Sequence, residues 1–156
     1  MTSPETGNSD NRYELIELIR ADRQAADWKA LDRQTGGWVA IKTLAPDLSE
    51  AAFAAIERAW RRMVLLPHHP HVAGVLDTGR ISVDGRATPF LSLPLTAGRT
   101  WTEFNARKLQ PSDVVEVISQ VAKGVEALHE AGVAHVDIKP ENILLWGDLS
   151  AKGVGQ

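Results

Sequence analysis

Three polar side chains in one short run have the types and spacing to do chemistry together: Asp137, Lys139 and Asn142, in His135-Val136-Asp137-Ile138-Lys139-Pro140-Glu141-Asn142. A carboxylate at Asp137 can accept a proton from an attacking hydroxyl, and an ammonium at Lys139 can neutralise charge on a phosphoryl group in transfer. Five residues past the aspartate, the amide oxygen of Asn142 is a hard donor suited to Mg²⁺. Pro140 restricts Lys139 to extended backbone and is expected to keep the segment out of a helix. The loop is thus built to point three different polar groups inward; the plainer alternative is a polar turn between a helix and a strand.

Something must deliver the chain into that loop and carry it away. From Pro111 or Ser112, the apolar residues Val114, Val117, Ile118, Val121, Val125 and Leu128 stripe one face of a helix that Gly132 should stop, just before His135. Ile143-Leu144-Leu145 reads as a strand leaving the loop. Upstream, alternation predicts strands over 13–19, 27–32 and 38–44, with Gln34-Thr35-Gly36-Gly37 as a turn. Asp47 and Glu50 make a capping box for a helix with Phe53, Ile56, Trp60 and Val64 at helical spacing, ending by Pro67. Two more strands are expected over 72–77 and 89–95, joined through the turn dipeptide Asp84-Gly85.

Composition excludes several classes. The 156 residues carry 44% hydrophobic and 24% charged side chains, ordinary for a globular chain. A domain of about this size buries roughly 68–70% of its unfolded surface. A net charge of −3 gives no reason to expect nucleic-acid binding. No long apolar run and no signal-peptide pattern points to a membrane. With no cysteine there is no disulfide or thiolate metal site, and a cytoplasmic setting is expected. Residues 1–11 are polar enough to be read as a disordered tail. His68, His69 and His71 cluster, but no carboxylate accompanies them, and packing and solvent exposure explain them better than a metal.

The loop from His135 to Asn142 resembles the catalytic loop of the protein kinase family, in the serine/threonine form with a lysine two after the aspartate. Val39-Ala40-Ile41-Lys42 is similar to the third-strand motif of that family. The resemblance covers roughly residues 13–156. It implies an α+β, protein-kinase-like fold: a five-stranded antiparallel N-lobe sheet with one helix, over 12–93; a hinge and connecting segment, 94–110; and a partial helical C-lobe, 111–156. It implies Asp137 and Lys139 as catalytic residues and Asn142 as a Mg²⁺ ligand. Nucleotide contacts would come from Lys42 on the α- and β-phosphates, Ala40 in the roof over adenine, Ile19, and the hinge residues Pro94 and Thr96, with Leu93 as gatekeeper. A proline at 94 keeps the carbonyl that adenine needs, and Thr96 keeps the N–H.

Other positions depart from the family pattern. Val136 stands where most members have arginine, which argues against control through a phosphorylated activation loop. The phosphate-gripping Gly-x-Gly-x-x-Gly is replaced by Arg20, Asp22 and Ala25; Arg20 or Arg23 can offer guanidinium contacts instead, though a solvated hairpin is the better reading. Trp60 falls where the helix glutamate that pairs with the lysine should be, leaving Glu57 as substitute or as a surface charge. Aligning Ala151-Lys152 with the strand before Asp-Phe-Gly puts Gly155-Gln156 where Asp-Phe should stand. The expectation is therefore a serine/threonine kinase-like chain, truncated before the activation segment, that binds ATP and Mg²⁺ weakly or not at all and transfers little phosphate. The alternative is a pseudokinase acting as a scaffold or interaction module; a small-molecule phosphotransferase ranks below both. Partners are a nucleotide and either a protein partner or a second copy, bound through the striped helix face if no complete helical lobe covers it.

Overall fold

Alternation of side chains across the sheet builds the first region. In the computed structural model, which describes residues 12–23, 25–44, 48–96, 98–104, 109–135 and 138–146, the chain forms β1 (Tyr13–Ala21), β2 (Ala25–Asp32) and β3 (Gly37–Leu44) as consecutive antiparallel strands. In β3, Val39, Ile41 and Thr43 are buried, while Trp38, Ala40 and Lys42 stand on the opposite face. Helix α1 (Glu50–Val64) follows, then β4 (Asp77–Val83) and β5 (Arg86–Pro94), giving a five-stranded sheet in the order β1-β2-β3-β5-β4. The core comprises Tyr13, Ala30, Val39, Ile41, Ile81 and Phe90, with Leu15, Trp28 and Val83 packed at its margin. Tyr13 meets Phe90 edge to face, ring centroids 5.3 Å apart.

Local chemistry sets the ends of these elements. Asp84 and Gly85 both adopt positive φ, 51° and 75°, the backbone that a two-residue hairpin turn requires. Ser49 caps α1, its hydroxyl accepting the Ala52 N–H at 3.2 Å; the expected cap, Asp47, lies outside the described residues. Helix α1 buries Phe53, and Arg80 of β4 lies 3.9 Å over that ring while reaching Glu50 at 3.3 Å.

The strand expected over 72–77 is corrected. Residues 72–76 hold no ladder, although Val75 is buried and the Leu76 N–H donates to the Ser92 carbonyl; the strand proper is Asp77–Val83, paired with β5. Of this run only Val75 is buried, while Ala73, Gly74 and Leu76 are exposed, so apolar composition marked neither burial nor pairing here.

Contacts divide the chain into two units. The first holds residues up to 65 and 74–95; the second holds 66–73 and the chain from Thr96 on. In the second, α2 (Pro111–Glu130) starts with a proline at its first position, where the missing N–H costs nothing. Asp113 accepts the Gln110 N–H at 2.9 Å. The helix ends in a left-handed glycine, Gly132 at φ 70°, with the Val133 N–H donating to the Leu128 carbonyl and the Gly132 N–H to the His129 carbonyl. Val117 and Leu145 are buried together, covered by Trp101, Phe104, Leu109, Val121 and Ile143.

The expectation that the α2 stripe lacks a cover is thereby narrowed. Val117 and Leu128 are buried and Val114, Val121 and Val125 half-buried, while Ile118 is exposed, as is Val115 beside it. Gly124 backs directly onto the segment from 66 to 73: a Cβ there would run into the His71 carbonyl oxygen. A short pairing that the sequence did not announce joins β6 (Arg99–Thr100) to β7 (Leu144–Leu145), extended by the Trp101 N–H to the Ile143 carbonyl at 2.9 Å.

Candidate functional site

The nucleotide-binding candidates begin on β3. Lys42 and Ala40 occupy the face of the sheet opposite the core. Across the β3–β5 ladder Ala40 lies opposite Leu93 and Lys42 opposite Leu91, and directly paired residues share a face. Across the β2–β3 ladder Lys42 lies opposite Asp27. Pro94 is the last residue of β5 and pairs with Val39. Thr96, exposed, follows in the second unit. Ile19 lies on β1, half exposed, at a register shift between Leu18 and Arg20.

The turn from β1 to β2 is closed by its own atoms. The Asp22 N–H donates to the Ala25 carbonyl at 2.9 Å, and the Ala25 N–H donates to Asp22 Oδ1 at 2.9 Å. This turn sets Arg20 opposite Asp27. The Arg20 guanidinium donates to Asp27 Oδ2 from Nε at 3.1 Å and from Nη2 at 2.5 Å. Arg20 is thus engaged by a carboxylate. Glu57, weighed as a substitute partner for Lys42, pairs with Arg61 one turn on, at 2.7 Å.

At the opposite end of β1 a different network forms. Arg12 grips Asp32 with two nitrogens, at 3.0 and 3.1 Å, and reaches Asp77 Oδ2 at 2.8 Å, which also accepts the Tyr13 hydroxyl at 3.1 Å. Arg12 and Tyr13 thereby tie the β1–β2 side of the sheet to β4 on its far edge. The Arg12 hydrogen bonds hold the buried Asp32 carboxyl below the usual range, and burial pushes the Tyr13 hydroxyl up to about 12.

In the second unit, Lys139 is extended (φ −154°, ψ 160°) and half-buried, and precedes a 3₁₀ turn, Pro140–Asn142. The Asn142 N–H donates to the Lys139 carbonyl at 2.9 Å. Pro140 was expected to exclude helix; instead it begins this turn, because a first helical position needs no N–H. Asn142 is half-buried and Ile138 exposed. Asp137 and Val136 lie outside the described residues. Among the described residues no group of three or more His, Cys, Asp or Glu is placed to hold a metal, so His68, His69 and His71 form no such cluster. His135 Nδ1 is buried without a hydrogen-bond partner among the described residues.

Comparison with known proteins decides the ancestry of this arrangement. Residues 24–152 match the protein kinase domain family. The chain belongs to the protein kinase family. A probable serine/threonine-protein kinase of Streptomyces coelicolor is 33% identical over 137 residues, 86% of this chain and 20% of that protein. Serine/threonine-protein kinase PknA of Mycobacterium tuberculosis is 30% identical over 148 residues, 92% of this chain and 34% of PknA. The chain thus spans about a fifth and about a third of the length of these two relatives. The crystal structure of the M. tuberculosis PknI kinase domain superimposes with a TM-score of 0.73 at 21% identity, covering 92% of this chain and 58% of that one. The fold is the kinase fold in part, α+β with the expected five-stranded antiparallel sheet.

Family membership brings out one residue that the sequence reading overlooked. In the kinase pattern Gly-x-Gly-x-x-Gly-x-Val, a valine follows two residues after the third glycine. With Arg20, Asp22 and Ala25 at the glycine positions, the valine position holds Asp27. The signal was present in the spacing. Its meaning required the register, because only the ladder brings the replacement of the first glycine against the replacement of the valine.

Proposed function

We propose that this chain is the nucleotide-binding part of a serine/threonine kinase-type domain that holds Mg-ATP weakly and, by itself, transfers little phosphate. The reading rests above all on one observation: Lys42 and Ala40 share a face of β3 with Leu93 opposite Ala40, as a lysine for phosphates and a small residue beside adenine require. Lys42 would meet the α- and β-phosphates, Ala40 and Ile19 would enclose the base, and the Pro94 carbonyl and Thr96 N–H would meet its edge. Asp137 would accept the proton of the substrate hydroxyl, and Lys139 would neutralise charge on the transferring group.

The donor chemistry fits Mg²⁺ only partly. Asn142 offers one neutral amide oxygen, and Mg²⁺ bound to nucleotide draws most of its remaining ligands from phosphate and water. When bound, the ion would stabilise the charge that develops during transfer. A weak grip follows from the hairpin, where side-chain and backbone bonds of Asp22 stand in for the glycine amides that approach phosphate closely.

One observation favours the second reading, a pseudokinase that works as an interaction module. The residues replacing the first glycine and the valine are bonded to one another, and Glu57 is bonded to Arg61, so the hairpin and α1 are each tied up without nucleotide. In that reading the exposed Ile118 and Val115 of α2 are where a protein partner or second copy would sit. No helix among the described residues is long and apolar enough to cross a membrane, and we place the protein in the cytoplasm, where ATP is at hand. Transfer of radiolabelled phosphate from ATP to a basic protein separates the readings. The first predicts slow but measurable turnover, far below the roughly 1–100 s⁻¹ of kinases, and the second predicts none; turnover within that range would overturn both.

A further inference from the structure

The Asp27 carboxylate has one partner among the described side chains. Its Oδ2 accepts Arg20 Nε at 3.1 Å and Arg20 Nη2 at 2.5 Å. The Asp27 side chain is only 25% exposed and that of Arg20 36%. A carboxylate so far withdrawn from water calls for a countercharge, whereas the guanidinium stands where solvent and a ligand can reach it. The two ladders set Asp27 opposite Arg20 on one side and opposite Lys42 on the other. Neighbouring strands lie about 4.7–4.9 Å apart, so a phosphate drawn to Lys42 arrives within a side chain's reach of the Arg20–Asp27 pair.

The backbone of the turn offers that phosphate little. The Asp22 N–H is bonded to the Ala25 carbonyl and the Ala25 N–H to Asp22 Oδ1, so the amides at two of the replaced glycine positions are spent inside the turn. The guanidinium is the group with something to give. It forms with phosphate the same charge-assisted bonds that it forms with a carboxylate. Arg20 makes a further contact besides the one with Asp27, and five N–H donors allow it to keep one partner while exchanging another. Asp27 acts in the opposite sense, repelling phosphate and competing with it for Arg20.

We propose that the Arg20–Asp27 ion pair is an autoinhibitory contact of the nucleotide site: Asp27 holds Arg20 in reserve, and Arg20 exchanges this carboxylate for a phosphate when nucleotide binds. The proposal rests on the reading of the β3 face as a nucleotide site. Two departures that look like separate losses then form one device. The arginine at the first glycine position supplies the contact that the turn amides no longer make, and the aspartate at the valine position sets what that contact costs.

The test is the apparent Kd of the whole chain for Mg-ATP and for adenosine, from thermal-shift titrations in which each variant is compared with its own ligand-free melt. Asp27→Asn should tighten Mg-ATP about fivefold or more, since the exchange no longer breaks a charged pair, and Arg20→Gln should weaken it about threefold or more. Asp27→Ser should act as Asp27→Asn does, and serves if the asparagine variant does not fold. Adenosine, which has no phosphate, should bind both variants within about twofold of the unaltered chain, and Glu14→Gln, an equal change of net charge at the far end of β1, should leave Mg-ATP within the same margin. Opposite signs at Asp27 and Arg20 are not expected of variants that merely loosen the hairpin, which would weaken binding in both. An unchanged or weaker affinity in Asp27→Asn, an unchanged or tighter one in Arg20→Gln, or an equal gain for adenosine would overturn the proposal. Adding Lys42→Met to Asp27→Asn separates the underlying reading: binding retained in full would sink the role of Lys42 and leave the Arg20 exchange standing, whereas Lys42-dependent binding that ignores Asp27 and Arg20 would sink the exchange alone.

Discussion

The two ends of β1 carry the same chemical pair in different surroundings. At the start, Arg12 grips an Asp32 whose side chain is 4% exposed, and reaches on to Asp77 on the far edge of the sheet. At the finish, Arg20 grips Asp27, one quarter exposed, beside a turn. An ion pair contributes according to what would happen if one member were removed. A fully buried carboxylate without its partner is costly, whereas one partly open to water is rehydrated more cheaply. The first pair therefore holds the sheet together, and loss of the second costs less.

Mutation can break or sharpen this contrast, and the largest effect is expected at the start of β1. Arg12→Ala should lower stability by about 2–3 kcal/mol in urea unfolding, since it strands Asp32 and loosens Asp77. The same variant should flatten the acid limb of stability. Asp32 has a depressed carboxyl, chiefly through the Arg12 hydrogen bonds, so its contribution is present above the ordinary Asp value of about 3.9 and is lost as pH falls through the lower folded value. A full-depth acid limb in Arg12→Ala would place the linkage elsewhere.

In the second unit, Gly124→Ala should cost about 1–3 kcal/mol, because the added methyl meets the His71 carbonyl, which is backbone and yields poorly. Tyr13→Phe should cost about 1 kcal/mol through its lost bond to Asp77. It should also remove an alkaline instability. Burial lifts this hydroxyl to about 12, so the unfolded chain ionises first and stability falls from about pH 10 upward. The smallest effect belongs to Arg20→Ala, about 0.5 kcal/mol or less. A loss there as large as at Arg12 would erase the distinction between the two ends.

Much of this architecture was legible in the sequence because several signals agreed. The alternation around Lys42, the turn at Asp84-Gly85, the stripe leading to Gly132 and the run from His135 to Asn142 each point to the same family, and the five-stranded sheet followed. Other parts were not legible for physical reasons. The apolar run from Val72 to Leu76 buries only Val75 and pairs with no strand, so hydrophobicity misplaced the strand that begins at Asp77. A pairing of two residues on each side, β6 with β7, has too little length to show a period. At the site, the loss of glycines was visible, but the bond between Arg20 and Asp27 was not, because it depends on how a short turn sets the register. The direction of Lys139 was legible from Pro140; the turn that Pro140 itself begins was not, since proline breaks a helix only in its interior.

The central claim is that the β3 face bearing Lys42 is a nucleotide site whose grip has weakened without being lost. A thermal-shift titration with Mg-ATP, run in parallel on the unaltered chain and on Lys42→Met, tests it most directly. The account predicts a small rise in melting temperature only as nucleotide reaches millimolar levels, in keeping with stabilisation by RT ln(1 + [L]/Kd), and no rise in Lys42→Met. A flat response in the unaltered chain, or a rise that Lys42→Met retains in full, would contradict it.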